Sequence, residues 1–383
     1  MIKEGVISLY LTVTGFAFNI FRLMPLQEKT VMLASFGDNI EYVAAEVKKQ
    51  TSSKIIILKE PGCRKTFEST VPYRILEFTP RNAVSFLKGL YHLATAKYLF
   101  VDNYHVVLAA CNFRTPVKCI QLWHANGAVK YFGCRDKTIK NRPASAHRRF
   151  KKVYSRFHYI AVSSDEMAYI FKEAFGAGPE RIIKSGVPRT DFFYHPDAVD
   201  TAAAEIHAAL PELESKKILL YAPTFRDDEY DVRKIHLDID TMKKQLSADY
   251  HLLLKLHPAV KLTGFENDEF VTDVSGDFDI NPLLLAADIL ITDYSSIPFE
   301  FSILKKPMIF FPYDLNEYEK SRGLWFNYQS YMPGPVAFST KEIINILKNN
   351  NFDMERIEAF NNQWNKYSSG NSAAHLVKII YSM

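Results

Sequence analysis

Short runs of β-branched and apolar residues alternate with stretches of helical periodicity along most of this chain, a pattern that dictates parallel sheets covered by helices. The first series of predicted strands covers 30–36, 54–58, 98–102, 118–123, 159–163 and 181–185. Helices fall between them, such as 39–49 and 164–175, the latter closed by Gly176. A second series covers 217–222, 251–256, 270–274, 288–292 and 307–311. Parallel strands need crossover connections, so each series is expected to wind helices onto both faces of its sheet. At 383 residues the chain has the length of roughly two domains. The stretch 191–216 is poor in strand formers, holds Pro196 and Pro211, and reads as the connection between them. The expected architecture is α/β: a first segment 1–27, a Rossmann-like domain 28–190 and a second Rossmann-like domain 191–383. Ligands of such sheets settle at the carboxyl ends of the strands, here in a cleft between the domains.

Composition removes several classes. Hydrophobic residues make up 48% and the glycines and prolines are scattered, which argues against a disordered or collagen-like chain. The formal charge of +4 is too small to imply a nucleic-acid partner, and no aromatic-rich recognition motif accompanies the basic residues. Cys63, Cys111, Cys119 and Cys134 are too far apart for a CxxC pair and too few for a disulfide-built fold, so a reducing compartment is expected.

The first residues differ from the rest. No charge occurs from Gly5 to Phe21, yet Glu4, Ser8, Thr12, Gly15, Asn19 and Arg22 recur at helical intervals and align in one narrow polar stripe. A spanning helix has no need of such a stripe. No small-residue cleavage site follows, so the segment reads as an amphipathic helix on a membrane surface or in an apolar groove, ended by Pro25. An ordinary buried first helix is the competing reading.

Chemistry-bearing residues gather just after the strands. Residues 121–133, QLWHANGAVKYFG, place His124 where it can serve as a general base or donate to phosphate, followed by the turn-forming Asn126 and Gly127. In the second half, YAPTFRDDE brings Pro223, Thr224 and Arg226 to the end of a strand. LLLKLHP brings Lys255, Leu256 and His257, with Pro258 stopping the strand. ITDYSSIPFEF puts Ser295 and Ser296 at the start of a helix and Glu300 one turn in. Hydroxyls, a guanidinium and free N–H groups at a helix start suit a phosphate. Bland readings compete: Ser295 as a cap, Arg226 paired with Asp227 or Asp228, His257 packed. No GxxxxGK[ST], helix-opening GxGxxG, HExxH or metal-spaced carboxylate cluster occurs, so neither cofactor nor metal is required.

From Arg135 to Arg156 there are nine Lys or Arg and one acid, Asp136. Such a run is commonly a solvated face, but beside the His124 loop it also suits anionic head groups or a lipid pyrophosphate.

Together WHANGAVKYFG, SGVPRTD (residues 185–191), YAPTFRDDE, LKLHP and TDYSSIPFEFSILKKPMIFFPYDLNEY closely resemble the CDP-glycerol glycerophosphotransferases of wall teichoic acid synthesis, from about Thr30 to the C-terminus. That resemblance implies a two-domain GT-B fold at the cytoplasmic face of the cell membrane. It implies transfer of glycerol phosphate from CDP-glycerol to a lipid-linked acceptor, in possible association with other teichoic acid enzymes. WHANG, where polymerising members read WHGTPLK, is similar to the chain-priming members, which add the first unit to N-acetylmannosaminyl-N-acetylglucosaminyl-diphospho-undecaprenol. Carried over by position, the resemblance assigns donor contacts to His124, Ala125, Asn126, Gly127, Ala128, Arg189, Pro223, Thr224, Lys255, Leu256, His257, Ser295, Ser296 and Glu300. Arg226 joins them from the residue reading, and His124 and His257 are the catalytic candidates. Lys255 and Glu300 depart from the polymerases' Arg and Asp, which keeps charge but alters reach. An extending transferase, a GT-B glycosyltransferase using a UDP-sugar and a non-catalytic nucleotide-binding protein are the alternatives.

Overall fold

Both series form parallel sheets in the computed structural model, which describes residues 2–67, 73–213, 216–226, 231–232, 235–257, 260–276 and 278–383. The chain divides into two units, one built from Met1–Ala125, Tyr131–Asp191 and Lys366–Met383, the other from Asn126–Lys130 and Phe192–Asn365.

Unit 1 opens with α1 (Ile2–Phe21), then β1 (Gln27–Ala34), α2 (Asp38–Gln50), β2 (Lys54–Lys59), β3 (Arg74–Glu77), α3 (Ala83–Thr95) and β4 (Ala96–Val101). It continues with β5 (Lys118–Gln121), α4 (Ala144–Tyr154), β6 (Tyr159–Ala161), α5 (Asp165–Phe175) and β7 (Ile182–Ile183), and a last helix, Ser372–Ser382, returns to it. The strand order is β3-β2-β1-β4-β5-β6-β7, all parallel. β1 is central, with Val31 opposite Ile56 on one side and Leu99 on the other, and Val31 to Ala34 are fully buried because helices cover both faces. α5 starts where the Ser164 hydroxyl accepts the Met167 N–H at 3.0 Å and stops at Gly176, left-handed at φ 64°.

Two features of unit 1 differ from the sequence expectation. β3 is an exposed edge strand of four residues without an apolar run, so periodicity does not reveal it. The final helix packs Leu376, Val377 and Ile380 into the same core as Val43, Val47 and Ile55 rather than staying with the second series. Asp191 fixes its start, accepting the N–H groups of Ser372 and Ala373 at 2.8 and 2.9 Å. The first segment also belongs to unit 1: Thr14 and Phe18 of α1 are buried against its neighbours, while Val6, Leu9, Val13, Phe16 and Ile20 form an exposed ridge. The polar stripe is present, with Ser8, Thr12 and Asn19 facing Arg148, Lys152 and Arg156 across a groove of about 810 Å³. Glu4 pairs with Arg149 at 3.0 Å, and that hydrogen bond holds its carboxyl down at about 2. The window Glu4–Phe21 has a mean hydropathy of 1.3 and is long and apolar enough to cross a membrane.

Unit 2 contains α6 (Pro196–Ala209), β8 (Lys217–Ala222), β9 (Asp231–Val232), α7 (Ile239–Leu246), β10 (Tyr250–Leu254), β11 (Lys261–Leu262) and β12 (Val271–Asp273). Then come α8 (Ile280–Ala286), β13 (Ile289–Thr292), α9 (Ile297–Phe301), β14 (Met308–Phe310), α10 (Leu315–Arg322), α11 (Tyr328–Tyr331), α12 (Thr340–Asn349) and α13 (Met354–Trp364). Its main sheet runs β12-β10-β8-β13-β14, parallel throughout, beside a small parallel pair β9–β11. Most of the stretch 191–216 is therefore helix, not connection; Pro196 at the first turn of α6 lacks only an N–H that would have no partner there. Both main sheets reverse their strand order between their first and fourth strands, β1/β4 and β8/β13, and these switch points are where doubly wound sheets take ligands.

Candidate functional site

Unit 1 builds a mount for one imidazole. β5 ends at Gln121, whose side chain accepts the Trp123 N–H at 2.8 Å, and Trp123 then turns with a left-handed φ of 59°, uncommon for a side chain with a Cβ. The turn puts the His124 ring between two aromatics: Phe36 stacks at 4.2 Å and 18°, Trp123 at 4.3 Å and 29°. Trp123 rests on Phe132, Phe171 and Phe175. Arg189 donates through Nη1 to the His124 carbonyl at 3.1 Å, and its N–H donates to Asn39, which also bonds the Trp123 carbonyl at 2.9 Å. Phe36 is fixed from below. Asp102, after β4, accepts the N–H groups of Ser35, Phe36 and Gly37 at 2.7–3.0 Å. Burial alone would push the His105 imidazole down, but the Asp102 carboxylate 3.5 Å from Nε2 and the Glu60 hydrogen bond at 2.9 Å outweigh it and hold it up at about 9. The same contacts keep both carboxylates low against the opposing effect of burial.

Ala125 closes this part of unit 1, and Asn126, Gly127 and Ala128 belong to unit 2. Asn126 is fully buried and donates to Asn365 at 2.7 Å. Gly127 sits at φ 87°, and a Cβ there would lie 2.6 Å from the Phe299 ring, so both conformation and space demand glycine. The Val129 carbonyl accepts the Trp325 N–H at 3.0 Å.

At the β8/β13 switch point Asp293 accepts the N–H groups of Thr224 and Tyr294, both at 2.7 Å, joining the two strand ends. Arg226 is committed inward: it donates to Asp293 at 2.8 Å and to Asp314 at 2.9 and 3.0 Å, and lies over the rings of Tyr294, Tyr313 and Tyr318. Burial works against its charge, yet Asp293 and Asp314 more than offset that and raise its pKa. The guanidinium thus locks the loops, a duty the sequence does not separate from phosphate binding. Asp227, Asp228 and Pro258 lie outside the described residues. Lys255 donates to the Ser275 and Phe278 carbonyls, at 2.9 and 2.5 Å, and the Leu256 N–H to the Ser275 hydroxyl at 2.9 Å, tying the end of β10 to the loop after β12. Pro223, Thr224, Leu256 and His257 come together around one small cavity with Phe225, His236 and Tyr313. His257 is exposed and its ring lies 4.9 Å from Phe225, while His236 stacks on Tyr313 at 3.7 Å. The Ser295 hydroxyl accepts the Ile297 N–H at 3.2 Å; the Ser296 hydroxyl at the start of α9 makes no capping bond, and Glu300 is buried. Among the described residues no group of three His, Cys, Asp or Glu is arranged to hold a metal.

A family profile described as CDP-Glycerol:Poly(glycerophosphate) glycerophosphotransferase matches residues 16–382. The chain belongs to this family. As a glycerophosphotransferase it is 38% identical over 365 residues to the teichoic acid glycerol-phosphate primase of Bacillus subtilis, covering 93% of this chain and 92% of that one. It is 34% identical to the teichoic acid ribitol-phosphate primase of Bacillus spizizenii, covering 94% and 92%. The solved wall teichoic acid polymerase TagF superposes with a TM-score of 0.78 at 25% identity, over 100% of this chain and 98% of that one. The Staphylococcus aureus MnaA–UDP structure matches in fold, with a TM-score of 0.62 at 13% identity over 93% of this chain and 96% of that one. The transferase has the GT-B class of fold, two Rossmann-like units. Phe36, Asn39, Asp102 and His236 were not singled out from sequence, whereas Asp293, Tyr313 and Asp314 lie inside the TDYSSIPFEFSILKKPMIFFPYDLNEY run that carries the resemblance, without a role assigned to them there.

Proposed function

We propose that this glycerophosphotransferase is a teichoic acid glycerol-phosphate primase, moving one glycerol phosphate from CDP-glycerol to N-acetylmannosaminyl-N-acetylglucosaminyl-diphospho-undecaprenol. The likeness to glycerol-phosphate primases along more than nine-tenths of the chain carries this reading. The acceptor hydroxyl attacks the β-phosphorus of CDP-glycerol, the new O–P bond forms as the bond to CMP breaks, and CMP departs with the electron pair. Catalysis of this kind is mainly positioning and charge stabilisation. His124, clamped between Phe36 and Trp123, takes the hydroxyl proton. His257, the backbone around Thr224 and the Ser295–Ser296 turn bind the donor's diphosphate and stabilise departing CMP. Arg226 and Asp293 act by holding those loops in register. Arg189 supports the His124 carbonyl.

The enzyme works at the cytoplasmic surface of the membrane, where the exposed ridge of α1 enters the interface and the cations of α4 meet anionic head groups. The test combines purified enzyme, CDP-glycerol and synthetic disaccharide diphospholipid. CMP release with a product one glycerol phosphate heavier supports priming. Several added units would make the enzyme an extender, use of a UDP-sugar a glycosyltransferase, and CDP-glycerol binding without CMP release a non-catalytic binder.

A further inference from the structure

A cavity of about 1090 Å³ in unit 1 is a groove bounded by α1, α3, the loop after β4 and α4. That volume is at the top of the usual ~300–1,000 Å³ range of ligand pockets. Its walls are apolar: Tyr10 and Ala17 from α1, Phe86 and Leu90 from α3, Val107 from the loop. Val6, Leu9 and Val13 of α1 and Leu87 of α3 line it and are also 46–66% exposed, so the groove opens on the same ridge that carries Phe16 and Ile20. An apolar chain can therefore pass from a bilayer into the groove without crossing water, and an apolar patch of this kind is costly to leave bare.

Two arginines also reach the groove. Arg142 lies over the Phe150 ring at 5.4 Å and Arg149 stands beside it, both lining the groove. One carboxylate, Glu60, lines this space and is engaged by His105 and Ser35, while Glu4 holds Arg149. A polyisoprenyl diphosphate matches an apolar groove that has Arg142 on its lining, and Arg149, held by Glu4 at 3.0 Å, can exchange that carboxylate for the second phosphate. The groove also adjoins the His124 mount. Tyr104, on its wall, follows Asn103, whose carbonyl accepts from Gln121, the residue that also fixes Trp123; Glu60 bonds Ser35 in the loop that carries Phe36.

We propose that this groove binds the polyisoprenyl diphosphate of the acceptor lipid, the chain between α1 and α3 and the diphosphate at Arg142 and Arg149. The inference rests on the acceptor named above, and the site needs no occupant from unit 2. Two arms test it on the full-length enzyme. In the first, a photoreactive polyprenyl diphosphate is crosslinked in nanodiscs and the label mapped by mass spectrometry; this arm requires no turnover, so it stands apart from the priming assay. Label on α1 and α3, reduced about tenfold in Arg142→Ala, supports the site. Label elsewhere, or equal protection by phosphatidylglycerol, overturns it and leaves a general lipid-contacting surface. In the second arm Ala83→Trp narrows the groove from an exposed position. The expected result is a tenfold or larger rise in KM for the undecaprenyl acceptor, with unchanged KM for CDP-glycerol, unchanged vesicle binding and little change for an acceptor with a short tail. Equal KM for long- and short-tailed acceptors in the variant would overturn the proposal. Absence of transfer by wild-type enzyme to any acceptor would instead count against the priming reaction, while the crosslinking map still decides the groove.

Discussion

The ring of Phe36 lies parallel to the His124 imidazole, 4.2 Å away and inclined by 18°, although 88 positions separate the two in sequence. Phe36 comes from the loop after β1 and His124 from the loop after β5, so β4, lying between those strands, sets the distance the two loops must bridge. A general base must meet its proton at a defined angle, and a two-sided aromatic stack leaves the imidazole little freedom other than in its own plane.

His124→Ala is expected to lower kcat on the order of a hundredfold or more with the fold intact, because the proposed proton acceptor is gone. Phe36→Leu keeps the base and loosens it, so a smaller loss is expected, about three- to tenfold in kcat, with KM for CDP-glycerol nearly constant. Steady-state CMP release checks both, and a wild-type rate in His124→Ala would remove the residue from the chemistry.

His257 is exposed beside Thr224 and Leu256 at the end of β10. Its replacement by Ala is expected to cut turnover by about a hundredfold through loss of charge stabilisation on departing CMP. Unfolding temperature should be unchanged, since the side chain contributes little to the core; a large fall in Tm would mark it as structural.

Gly127→Ala meets two penalties at once: a left-handed backbone and a ring carbon 2.6 Å from the new methyl. A loss of about 2–4 kcal/mol is expected from strain and overpacking together. Denaturant unfolding measures it, and pairing the change with Phe299→Leu should recover part of the loss. If the double variant is no more stable than the single one, the contact is not the cause.

The Asp102–His105–Glu60 group gives stability a pH profile. His105 has a folded pKa near 9 against an ordinary 6.5, so its contribution is fully present below about pH 6.5 and vanishes as pH rises through 9. The size is on the order of 3 kcal/mol. Asp102 and Glu60 are shifted the other way, so their contribution is present above about pH 4–5 and fades in acid. Tm measured from pH 4 to 10 should peak near pH 5–7, and His105→Gln should flatten the alkaline limb. An unaltered alkaline limb would assign it to other groups.

Replacing Leu9, Val13 and Phe16 together by Ser should weaken sedimentation with anionic vesicles at least tenfold, since these side chains are exposed on α1 and each has apolar area to bury in an interface. CDP-glycerol binding should not change. Equal loss of both would show that α1 serves the fold rather than the membrane.

What could be read ahead of the structure follows from where the signal is local. β-branched runs such as Lys217–Ala222 declare buried parallel strands, and WHANG and TDYSS sit at strand ends because that is where a switch point needs turns and polar groups. Arg226 shows the limit: in sequence it stands beside Asp227 and Asp228, but its partners are Asp293 and Asp314, 67 and 88 residues away, and only folding reveals that it is a clamp. Phe36 and Asp102 were invisible for the same reason; each is an ordinary residue until strand order brings it under His124. The last helix escaped because an amphipathic pattern names a buried face without naming its partner.

Asp191 and the helix it caps also set an order of events as the chain is made. The sheet of unit 1 is complete once β7 has emerged, yet the face over Val43 and Val47 stays uncovered until Leu376, Val377 and Ile380 leave the ribosome. The continuous run Phe192–Asn365 has everything unit 2 draws from beyond residue 130 well before that moment. A nascent chain stalled anywhere in the second sheet therefore displays an open apolar surface on the first, and chaperones would be recruited to the half that was synthesised earliest.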